Sequence, residues 1–232
     1  MQRFVKKNKR GKFIVIDGTD GSGKATQTKS LVERLKKEGR KVKELDFPQY
    51  GKKSAALVEE YLNGNFGTAQ EVGSYRASIF YACDRYAASF RVKAWLSEGN
   101  IVVSNRYVTA NMGHQGGKIK NKRERDKYFR WLYDLEYNIF SIPKPDINLI
   151  LHVDAAVAQK LVDSKGKRDY IKNGKRDIHE NDLKHLRDAE KIYLEIAQGF
   201  PGFQLIECAK GGSIISKKEI SDLVWNKLKK KL

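Results

Sequence analysis

The sequence feature that most constrains the fold is a glycine-rich loop between an apolar run and an amphipathic segment. The run FIVID is followed by Gly18-Thr19-Asp20-Gly21-Ser22-Gly23-Lys24, which fits the phosphate-binding pattern G-x-x-x-x-G-K. In such a loop, backbone N–H groups and the start of the next helix bind phosphate, and the lysine reaches the β- and γ-phosphates. The segment TQTKSLVERLKKEG that follows has helical periodicity. The required order of strand, loop and helix is present, so we predict a nucleotide phosphate site here.

Short β-branched runs alternate with long helical patterns along the rest of the chain. Five runs are predicted strands: Lys12 to Asp17, Lys41 to Phe47, Ile101 to Asn105, Ile147 to Val153 and Phe203 to Glu207. The candidate helices lie near Lys24 to Glu38, Ser54 to Leu62, Gly73 to Ser97, Arg123 to Phe140, Ala155 to Asp163, His179 to Gln198 and Lys217 to Lys231. Strands separated in this way pair in parallel through right-handed crossovers. We therefore predict a doubly wound α/β fold, with a five-stranded parallel sheet flanked by helices on both faces.

Composition indicates one folded domain over residues 1–232. No repeat or proline-rich linker divides the chain, and 40% apolar residues can fill a continuous core. The apolar runs are much shorter than the roughly 20 residues that a membrane span needs, and the N-terminus lacks the apolar stretch of a signal peptide. Cys83 and Cys208 are too few for a disulfide framework. We expect a cytoplasmic protein with reduced thiols and no membrane partner.

The charge balance favours anionic partners. Lys and Arg number 46 against 28 Asp and Glu, which gives a net charge of +18. The excess lies in a basic N-terminal extension (residues 1–11), in residues 118–130 and 165–176, and at the C-terminus. Nucleotides, nucleic acid and anionic lipid all satisfy this charge, so the choice among them depends on the motifs.

Two more segments carry side chains suited to nucleotide chemistry. The strand IVVSN ends in Asn105 and is followed by Arg106 and Tyr107, where an acid that holds Mg²⁺ through water would be expected in place of Asn105. In FYACDRY, Tyr81 and Arg85 are four residues apart and share a helical face. An aromatic ring and an arginine in that arrangement can stack on a base and bond to its edge. An isolated aromatic residue at helical spacing is more often part of a core. This segment therefore indicates nucleotide binding only in combination with the phosphate loop.

Taken in order, these motifs make the chain resemble the thymidylate kinases, nucleoside monophosphate kinases that phosphorylate dTMP, over nearly its whole length. The loop is similar to the family's G-x-D-G-x-G-K-x-T, Phe47-Pro48-Gln49-Tyr50-Gly51 to its F-P-x-Y-G segment, and Arg106-Tyr107 to its D-R-Y motif. The resemblance implies a P-loop kinase fold with a mobile lid near residues 163–178. It also implies transfer from ATP to dTMP, giving ADP and dTDP, with Mg²⁺ as cofactor, and a homodimer built on long helices such as the one predicted from Gly73 to Ser97.

The resemblance also implies roles for individual residues. The implied catalytic residues are Lys24, Arg106, Asp20 and Arg168. The implied ATP-binding residues are Gly18, Asp20, Gly21, Ser22, Gly23, Lys24, Ala25 and Thr26. The implied dTMP-binding residues are Asp20 at the sugar 3′-hydroxyl, Phe47, Tyr81 stacked on thymine, Arg85 at the base edge, Arg106 on the phosphate, Asn111 at N3 and O4, and His114.

The metal site departs from the family pattern. Ala25 replaces the Ser or Thr that helps to hold Mg²⁺, and the hydroxyl of Thr26 is turned about 100° around the helix. Together with Asn105, this removes two supports on the donor side. Some members of the family hold the metal nearer the acceptor, and similarity to them assigns it here to Asp20 and Glu180.

Three other positions affect substrate contacts. Asp46 occupies a site that is an arginine touching the acceptor phosphate in many members, so that contact is expected from Arg106 or from Lys52. His114 stands where a tyrosine often excludes ribonucleotides, so we expect looser sugar discrimination. Asp154, after the fourth strand, is either a second metal-binding acid or, as we favour, the cap of the next helix.

Two alternatives stay open. One is a kinase of another pyrimidine nucleoside monophosphate, because Tyr81, Arg85 and Asn111 favour a pyrimidine without choosing which. The other is a P-loop protein that binds nucleic acid, which the charge of +18 suggests. Its basic residues cluster at the tails and the lid, and no RNA-binding module motif is present, so nucleic acid is the less favoured partner.

Overall fold

The computed structural model describes residues 10–163 and 183–232. In these ranges the main sheet contains β1 (Phe13–Gly18), β2 (Val42–Asp46), β3 (Ile101–Asn105), β4 (Ile147–His152) and β5 (Phe203–Glu207). The helices are α1 (Lys24–Lys37), α2 (Ala56–Leu62), α3 (Ala69–Ser97), α4 (Val108–Gly116), α5 (Lys122–Tyr133), α6 (Ala155–Asp163), α7 (Leu183–Gly199) and α8 (Lys217–Leu228). A 3₁₀ turn at Lys53–Ala55 precedes α2, a π-helix at Asp134–Ile139 follows α5, and β6 (Ala209–Lys210) pairs with β7 (Ser213–Ile214) in a hairpin.

The five strands pair in parallel in the order β2-β3-β1-β4-β5, which confirms the predicted sheet. β1 lies at the centre and all six of its residues are buried, as expected for a strand covered on both faces. In the register of the sheet, Asp46 at the end of β2 lies beside Asn105 of β3, and Gly18 lies beside Leu151 of β4. The polar residues that end β1, β2 and β3 therefore meet at one edge, where ligands of such folds bind.

Apolar side chains alternate across the sheet and form a core on each face. Phe13 and Val15 of β1 pack with residues of α3, α4, α5 and α7. Ile14 and Ile16 pack on the opposite face with residues of α1 and α8. Because each fully buried side chain of this size contributes about 1.5–3 kcal/mol, both layers of helices are held firmly against β1.

The longest helix, α3, begins four residues before its predicted start. Thr68 and Glu71 form a capping box, in which Glu71 N donates to Thr68 Oγ1 (3.2 Å) and Thr68 N donates to Glu71 Oε2 (2.8 Å). Gly73, where the prediction began, has a non-helical backbone (φ 73°, ψ 168°) and interrupts the helix. Among the residues described, no helix is both long and apolar enough to cross a membrane.

Two elements near the site were not predicted from the sequence. The sequence around α4 carries several glycines, which lower helix propensity, but tertiary packing requires them. A Cβ on Gly113 would lie 2.5 Å from the ring of Tyr193, and one on Gly116 would lie 2.8 Å from the ring of Phe129. The helix predicted from Arg123 to Phe140 is α-helical only to Tyr133 and continues as the π-helix.

Candidate functional site

The phosphate loop connects β1 to α1 through three glycines with positive φ: Gly18 (139°), Gly21 (82°) and Gly23 (84°). A Cβ on Gly18 would come within 2.2 Å of the Leu151 carbonyl oxygen, and one on Gly21 within 2.4 Å of the Ala158 carbonyl oxygen. Because other residues rarely adopt these dihedral angles and would clash here, glycine is required at both positions. The loop is thereby packed against β4 and α6 at the N-terminus of α1, where phosphate binding is favoured.

Lys24, the first residue of α1, is buried beneath the loop. Its Nζ donates to the Thr19 carbonyl oxygen at 2.6 Å and lies 3.7 Å from Asp20 Oδ1. The ammonium lines a cleft beside the loop. It is a buried cation beside the loop and at the start of α1, a position that suits it to a polyphosphate.

Arg106 follows β3 with a left-handed backbone (φ 62°), a conformation that costs a non-glycine residue about 1–3 kcal/mol. Its N–H donates to the Ile16 carbonyl oxygen at 2.9 Å, which holds this turn against β1. The guanidinium forms a salt bridge with Asp20 and donates through Nη1 to His114 Nε2 at 2.9 Å. Although desolvation acts in the opposite direction, the Asp20 carboxylate raises the pKa of Arg106. Arg106 is therefore a permanent cation at the edge of the sheet.

The contact with Arg106 determines the tautomer of His114. A guanidinium only donates hydrogen bonds, so His114 Nε2 accepts and the proton lies on Nδ1, which is 3.3 Å from His185 Nε2. The two imidazole rings stack with centroids 5.5 Å apart. Desolvation and the nearby Arg106 charge hold the pKa of His114 well below its usual range. His114 is therefore neutral at pH 7 and orients the Arg106 side chain.

Asp17 at the end of β1 supports this arrangement, although the sequence analysis did not single it out. Its carboxylate is buried and accepts hydrogen bonds from Gly18 N (2.9 Å) and the Tyr193 hydroxyl (2.8 Å). Desolvation raises the pKa of Asp17, against the lowering effects of Arg106 and Lys24. The sequence signal for this role was an acid that ends a fully apolar strand.

A cleft opens between α3, α4 and the segment after β2. All the residues predicted to bind dTMP line it: Asp20, Phe47, Tyr81, Arg85, Arg106, Asn111 and His114. We call this the acceptor cleft. Tyr50, Leu62 and Gln115, which the sequence analysis did not assign, also line it.

One end of the acceptor cleft is formed by a buried ion pair. Arg85 donates through Nε and Nη2 to both carboxylate oxygens of Glu136, with Nε 2.8 Å from Oε2, and its Nη1 lies 3.4 Å from the Tyr107 carbonyl oxygen. Arg85 is 2% exposed and Glu136 is fully buried. Against desolvation, which lowers it, the Glu136 carboxylate raises the pKa of Arg85. Glu136 was missed from the sequence, where it appears only as an acid on the apolar face of a helical pattern.

Asn111 is fixed at the same end of the cleft. Its side-chain Nδ2 donates to the main-chain carbonyl oxygen of Ser78 at 3.2 Å. The main-chain carbonyl oxygen of Asn111 accepts from the Tyr128 hydroxyl at 3.1 Å. Tyr81 lies nearby on α3, with its ring edge-on to Tyr61 at a centroid distance of 6.3 Å. Amide and ring are thus presented to the cleft from two helices that pack together.

A second cleft lies beside the phosphate loop, and we call it the donor cleft. It shares Asp20 and Arg106 with the acceptor cleft, so the two clefts adjoin at this ion pair. The predicted ATP-binding residues that line it are Asp20, Gly21, Gly23, Lys24 and Ala25. The other three do not: Gly18 and Ser22 are buried, and Thr26 is exposed on α1.

Two strand ends complete the donor cleft. Asp46 and Asn105 both line it, and Asn105 Nδ2 donates to Asp46 Oδ1 at 2.8 Å. Lys52, the other residue predicted to contact the acceptor phosphate, instead donates to Gln49 Oε1 at 3.0 Å. The predicted lid beyond Asp163, with Arg168, and the predicted metal ligand Glu180 lie outside the described residues.

Asp154 lies directly before α6, and its carbonyl oxygen accepts from Ala158 N at 2.8 Å, as expected of a capping residue. It is close to a charge network at the ends of β4 and β5. His152 contacts Glu207 through Nδ1 (2.6 Å) and Glu190 through Nε2 (3.0 Å). The other carboxylate oxygen of Glu190 accepts from Ala155 N at 2.9 Å. These contacts link the strand ends to α6 and α7.

Comparisons with known proteins identify the family of this chain. The family model described as "Thymidylate kinase" matches residues 16–218. The thymidylate kinase of Mycobacterium tuberculosis is 29% identical over 196 residues, which cover 84% of this chain and 90% of that protein. A probable thymidylate kinase of Thermoplasma volcanium is 30% identical over 187 residues, covering 78% of this chain and 83% of that protein.

A solved structure supports the fold independently. The thymidylate kinase of Candida albicans superimposes with a TM-score of 0.72 over 96% of this chain and 92% of that chain, at 22% sequence identity. At 22% identity, this structural similarity is evidence for the fold alone. The match of the family model to residues 16–218, most of the sequence, is the finding that decides membership: the chain belongs to the thymidylate kinase family and is a phosphotransferase.

Proposed function

We propose that the protein transfers the γ-phosphoryl group of MgATP to dTMP, giving ADP and dTDP. The observation that carries this proposal is that two clefts adjoin at Asp20 and Arg106, which line both of them. One cleft contains the phosphate loop and Lys24, and the other contains residues suited to a pyrimidine nucleotide. A donor phosphate and an acceptor phosphate bound in the two clefts would meet between these residues.

The chemistry needs alignment and charge neutralisation more than proton transfer. The second pKa of a phosphate monoester is about 6, so the attacking oxygen of dTMP is largely ionised at pH 7 and needs no general base. Lys24 binds the donor phosphates, and Arg106 binds the acceptor phosphate in place of the Asp20 carboxylate. Both cations are fixed before substrate arrives, which lowers the cost of bringing two polyanions together.

Three side chains give the acceptor cleft its preference for thymine. Tyr81 stacks on the base, and Arg85 donates to O4 with the N–H groups that Glu136 leaves available. Because Nδ2 of Asn111 is used by Ser78, its Oδ1 accepts from N3–H. Cytosine has the opposite donor and acceptor pattern at these two atoms. It would leave buried groups unpaired, a penalty of about 1–3 kcal/mol for each group.

The donor set fits a hard divalent cation such as Mg²⁺, which prefers carboxylate and carbonyl oxygens together with phosphate. Asp20, which lines both clefts, and Asp46, which lines the donor cleft, supply carboxylates, and Asp20 and Glu180 are the predicted ligands. Magnesium there would neutralise charge on the transferred group. Asp20 is paired with Arg106 and lies near Lys24, so its carboxylate is shared between metal and cations.

A coupled assay of ADP release over a panel of nucleoside monophosphates tests the proposal. We expect dTMP to be the best substrate and dUMP a weaker one, because the buried thymine methyl contributes about 0.8 kcal/mol. We expect dCMP and dGMP near background. Lys24→Ala should remove most of kcat for dTMP while the fold is retained. Equal turnover of dCMP and dTMP, or unchanged turnover by the Lys24 variant, would contradict the proposal.

The same panel distinguishes the two alternatives. A kinase of another pyrimidine nucleotide would prefer CMP, dCMP or UMP over dTMP. A protein that binds nucleic acid would show oligonucleotide affinity that falls steeply with salt, without turnover of dTMP.

We also propose a homodimer that forms through α3. Four large apolar residues, Tyr75, Ile79, Tyr86 and Phe90, are exposed on this helix, and their spacing places them on one face. Phe90→Glu should shift the mass in light scattering from dimer to monomer. Leu223→Glu, which charges an exposed apolar residue of α8, should leave the mass unchanged. A monomeric wild type would contradict this assembly.

A cytoplasmic location is the last part of the proposal. Cys83 and Cys208 are both free thiols. A chain that keeps its cysteines reduced suits a reducing compartment, where nucleoside monophosphates and ATP are also available.

A further inference from the structure

The C-terminal ends of α1 and α8 lie side by side, because the two helices pack in parallel. Near the start of α1, Gln27 Nε2 donates to the carbonyl oxygen of Lys217, the first residue of α8, at 3.0 Å. Near the end of α1, Arg34 Nη1 donates to Asp222 Oδ1 at 3.4 Å, and its guanidinium carbon lies 4.1 Å from the centroid of the Trp225 ring. The segments that follow the two helices therefore emerge at one surface.

Eight exposed cations gather at that surface. They are Lys36, Lys37, Arg40, Lys41, Lys227, Lys229, Lys230 and Lys231, and we call this surface the basic end. The only acidic residue from position 35 to position 43 is Glu38, and no acidic residue follows Asp222. Glu38 and Asp222 are both paired with Arg34. In the described part of the chain, none of the eight cations forms an ion pair, so their charge is not neutralised within the protein.

Helix stability explains less than half of the basic end. The helix dipole favours cations in the last turn, which accounts for the three lysines that lie inside the helices. The other five cations follow the last helical residues, Lys37 and Leu228. Like charges at close range repel one another, and an anionic partner removes that repulsion. The basic end is therefore suited to a polyanion.

The basic end is remote from both clefts. Helix α1 begins at the phosphate loop, and its 14 residues span about 20 Å. Lys41 precedes β2, and its carbonyl oxygen accepts from Ile101 N at 2.8 Å, at the edge where the parallel strands begin. The clefts lie at the opposite edge, where the strands end, and no residue of the basic end lines either of them. A polyanion at the basic end therefore leaves the kinase site open to its substrates.

The chemistry of the basic end favours a nucleic acid over a lipid surface. Seven of the eight cations are lysines, which neutralise phosphates as point charges and lack the planar fork of arginine. Packed helices lie about 8–10 Å apart, between the widths of the minor and major grooves of DNA, about 6 and 12 Å, so cations from both helix ends can reach phosphates of both strands. Among described residues, none of the exposed large apolar side chains belongs to the basic end. It therefore has no apolar side chain to insert into a bilayer.

We propose that the basic end binds the phosphate backbone of nucleic acid independently of base sequence. The sequence analysis disfavoured nucleic acid because the basic residues cluster at the tails and the lid. Parallel packing of α1 and α8 joins the basic C-terminus to a second group of cations at the end of α1, which that analysis did not include. This binding is additional to the proposed kinase activity and uses a different surface.

The test measures binding of the full-length protein to a fluorescein-labelled DNA duplex by fluorescence anisotropy, between about 50 and 200 mM KCl. Neutralisation of about five phosphates gives a slope of about −4.5 for log K against log salt, and we expect a slope at least this steep with two unrelated duplex sequences. The basic-end variant combines Lys36→Gln, Lys37→Gln, Lys229→Gln and Lys230→Gln. It should raise the Kd at least about tenfold near 100 mM KCl and reduce the slope by about 3.

The matched control removes the same net charge from α5 and α7. It combines Arg123→Gln, Lys127→Gln, Arg187→Gln and Lys191→Gln, all at exposed positions. We expect it to keep the wild-type slope. Saturating dTMP and ADP should also leave duplex binding unchanged, because both clefts lie at the other edge of the sheet. Thermal melting reports on the fold of both variants, and their turnover of dTMP should equal that of the wild type.

Five results would overturn the proposal. They are no duplex binding by the wild type at low salt, an unchanged slope in the basic-end variant, an equal loss of affinity in the control variant, displacement of the duplex by dTMP and ADP, and strong preference for one duplex sequence. Binding to vesicles of phosphatidylserine and phosphatidylcholine at a salt concentration where the duplex is not bound would assign the basic end to membranes instead. Turnover of dTMP is measured separately, so this proposal can fail while the proposed function stands.

Discussion

The two ends of the acceptor cleft each contain an arginine paired with a carboxylate, but the pairs have different surroundings. At the base end, Arg85 and Glu136 are 2% and 0% exposed. At the phosphate end, Arg106 and Asp20 are 19% and 20% exposed, and Arg106 also contacts His114. The first pair is sealed by α3, α4 and the π-helix, whereas the second lies where two clefts meet.

This difference separates recognition from catalysis. A buried pair pays desolvation on both ions and is stable only while both are present, so the Arg85 guanidinium has one fixed orientation. Fixed donors can distinguish a carbonyl from an amino group on a base. A half-open pair can exchange one anion for another, so Arg106 can leave the Asp20 carboxylate for a phosphate. The base end is preorganised, and the phosphate end is exchangeable.

The largest expected effect is at the phosphate end. Arg106→Gln removes the cation that meets the acceptor phosphate, and we expect kcat/KM for dTMP to fall by about 10³-fold or more, as for other arginines that neutralise a transferred phosphoryl group. The fold should be retained, because the guanidinium lies in a cleft and the backbone bond to Ile16 remains. Steady-state kinetics and thermal melting measure the two quantities.

Arg34→Gln is the matched control, since it removes an arginine at the contact of α1 and α8, away from both clefts. It should leave kcat/KM unchanged. If Arg106→Gln instead lowers the melting temperature while the surviving folded fraction keeps full activity, the phosphate end is structural and the comparison fails.

At the base end we expect a large effect on stability and only a small effect on kcat. Glu136→Gln leaves the Arg85 guanidinium buried without its counter-ion, which costs about 3–5 kcal/mol in the free energy of unfolding. In folded protein Arg85 can then reorient, so the KM for dTMP should rise and the preference for dTMP over dCMP should shrink, with kcat less affected. Denaturant unfolding and kinetics with both substrates give the two readouts.

Asp222→Asn provides the comparison, because Asp222 pairs with Arg34 at 3.4 Å and both side chains are exposed, Asp222 by 56% and Arg34 by 36%. We expect a loss of unfolding free energy of about 1 kcal/mol or less there. Equal losses in both variants would show that burial does not distinguish the base-end pair. Unchanged base preference in Glu136→Gln would show that Glu136 does not orient Arg85.

The phosphate end was easier to predict from the sequence than the base end, for a physical reason. The loop, Lys24 and Arg106 lie at strand ends, and local chain geometry and glycine placement determine their positions. Parallel pairing then brings these strand ends together, so a correct order of strands and helices is sufficient. All the residues predicted for dTMP accordingly line one cleft.

The base end depends on contacts that no local pattern reveals. Glu136 reaches Arg85 only because α5 gives way to a π-helix, and the sequence there predicts one continuous helix. Helix α4 was missed because its glycines lower helix propensity, although Tyr193 and Phe129 require them. The link from Arg106 through His114 to His185 joins α4 to α7, and long-range packing alone creates it.

The smallest expected effect concerns pH at the phosphate end. His114 is neutral and accepts a hydrogen bond from Arg106, and desolvation holds its pKa well below 6.5. A depressed pKa means that this contact and its contribution to stability are complete above about pH 6.5 and are lost as the pH falls through the pKa of the folded state. Protonation would place two cations side by side. At acidic pH we therefore expect kcat/KM for dTMP to fall a few-fold more than protonation of the dTMP phosphate alone would cause.

His114→Gln isolates this contribution, because an amide oxygen can accept from Arg106 and does not titrate in this range. The phosphate of dTMP also takes up a proton near pH 6, but it does so equally with both enzymes, so the ratio of wild type to variant cancels it. That ratio should be constant near neutral pH and should decline only well below pH 6.5, as His114 protonates. His152→Gln is the control. The carboxylates of Glu207 and Glu190 act against desolvation and raise the pKa of His152. The contribution of His152 to stability is therefore present at low pH and is lost as the pH rises, in the opposite direction to that of His114. A flat ratio for His114→Gln, over a pH range in which the histidine NMR signals show that His114 protonates, would mean that this protonation does not disturb Arg106. The phosphate end would then be as rigid as the base end.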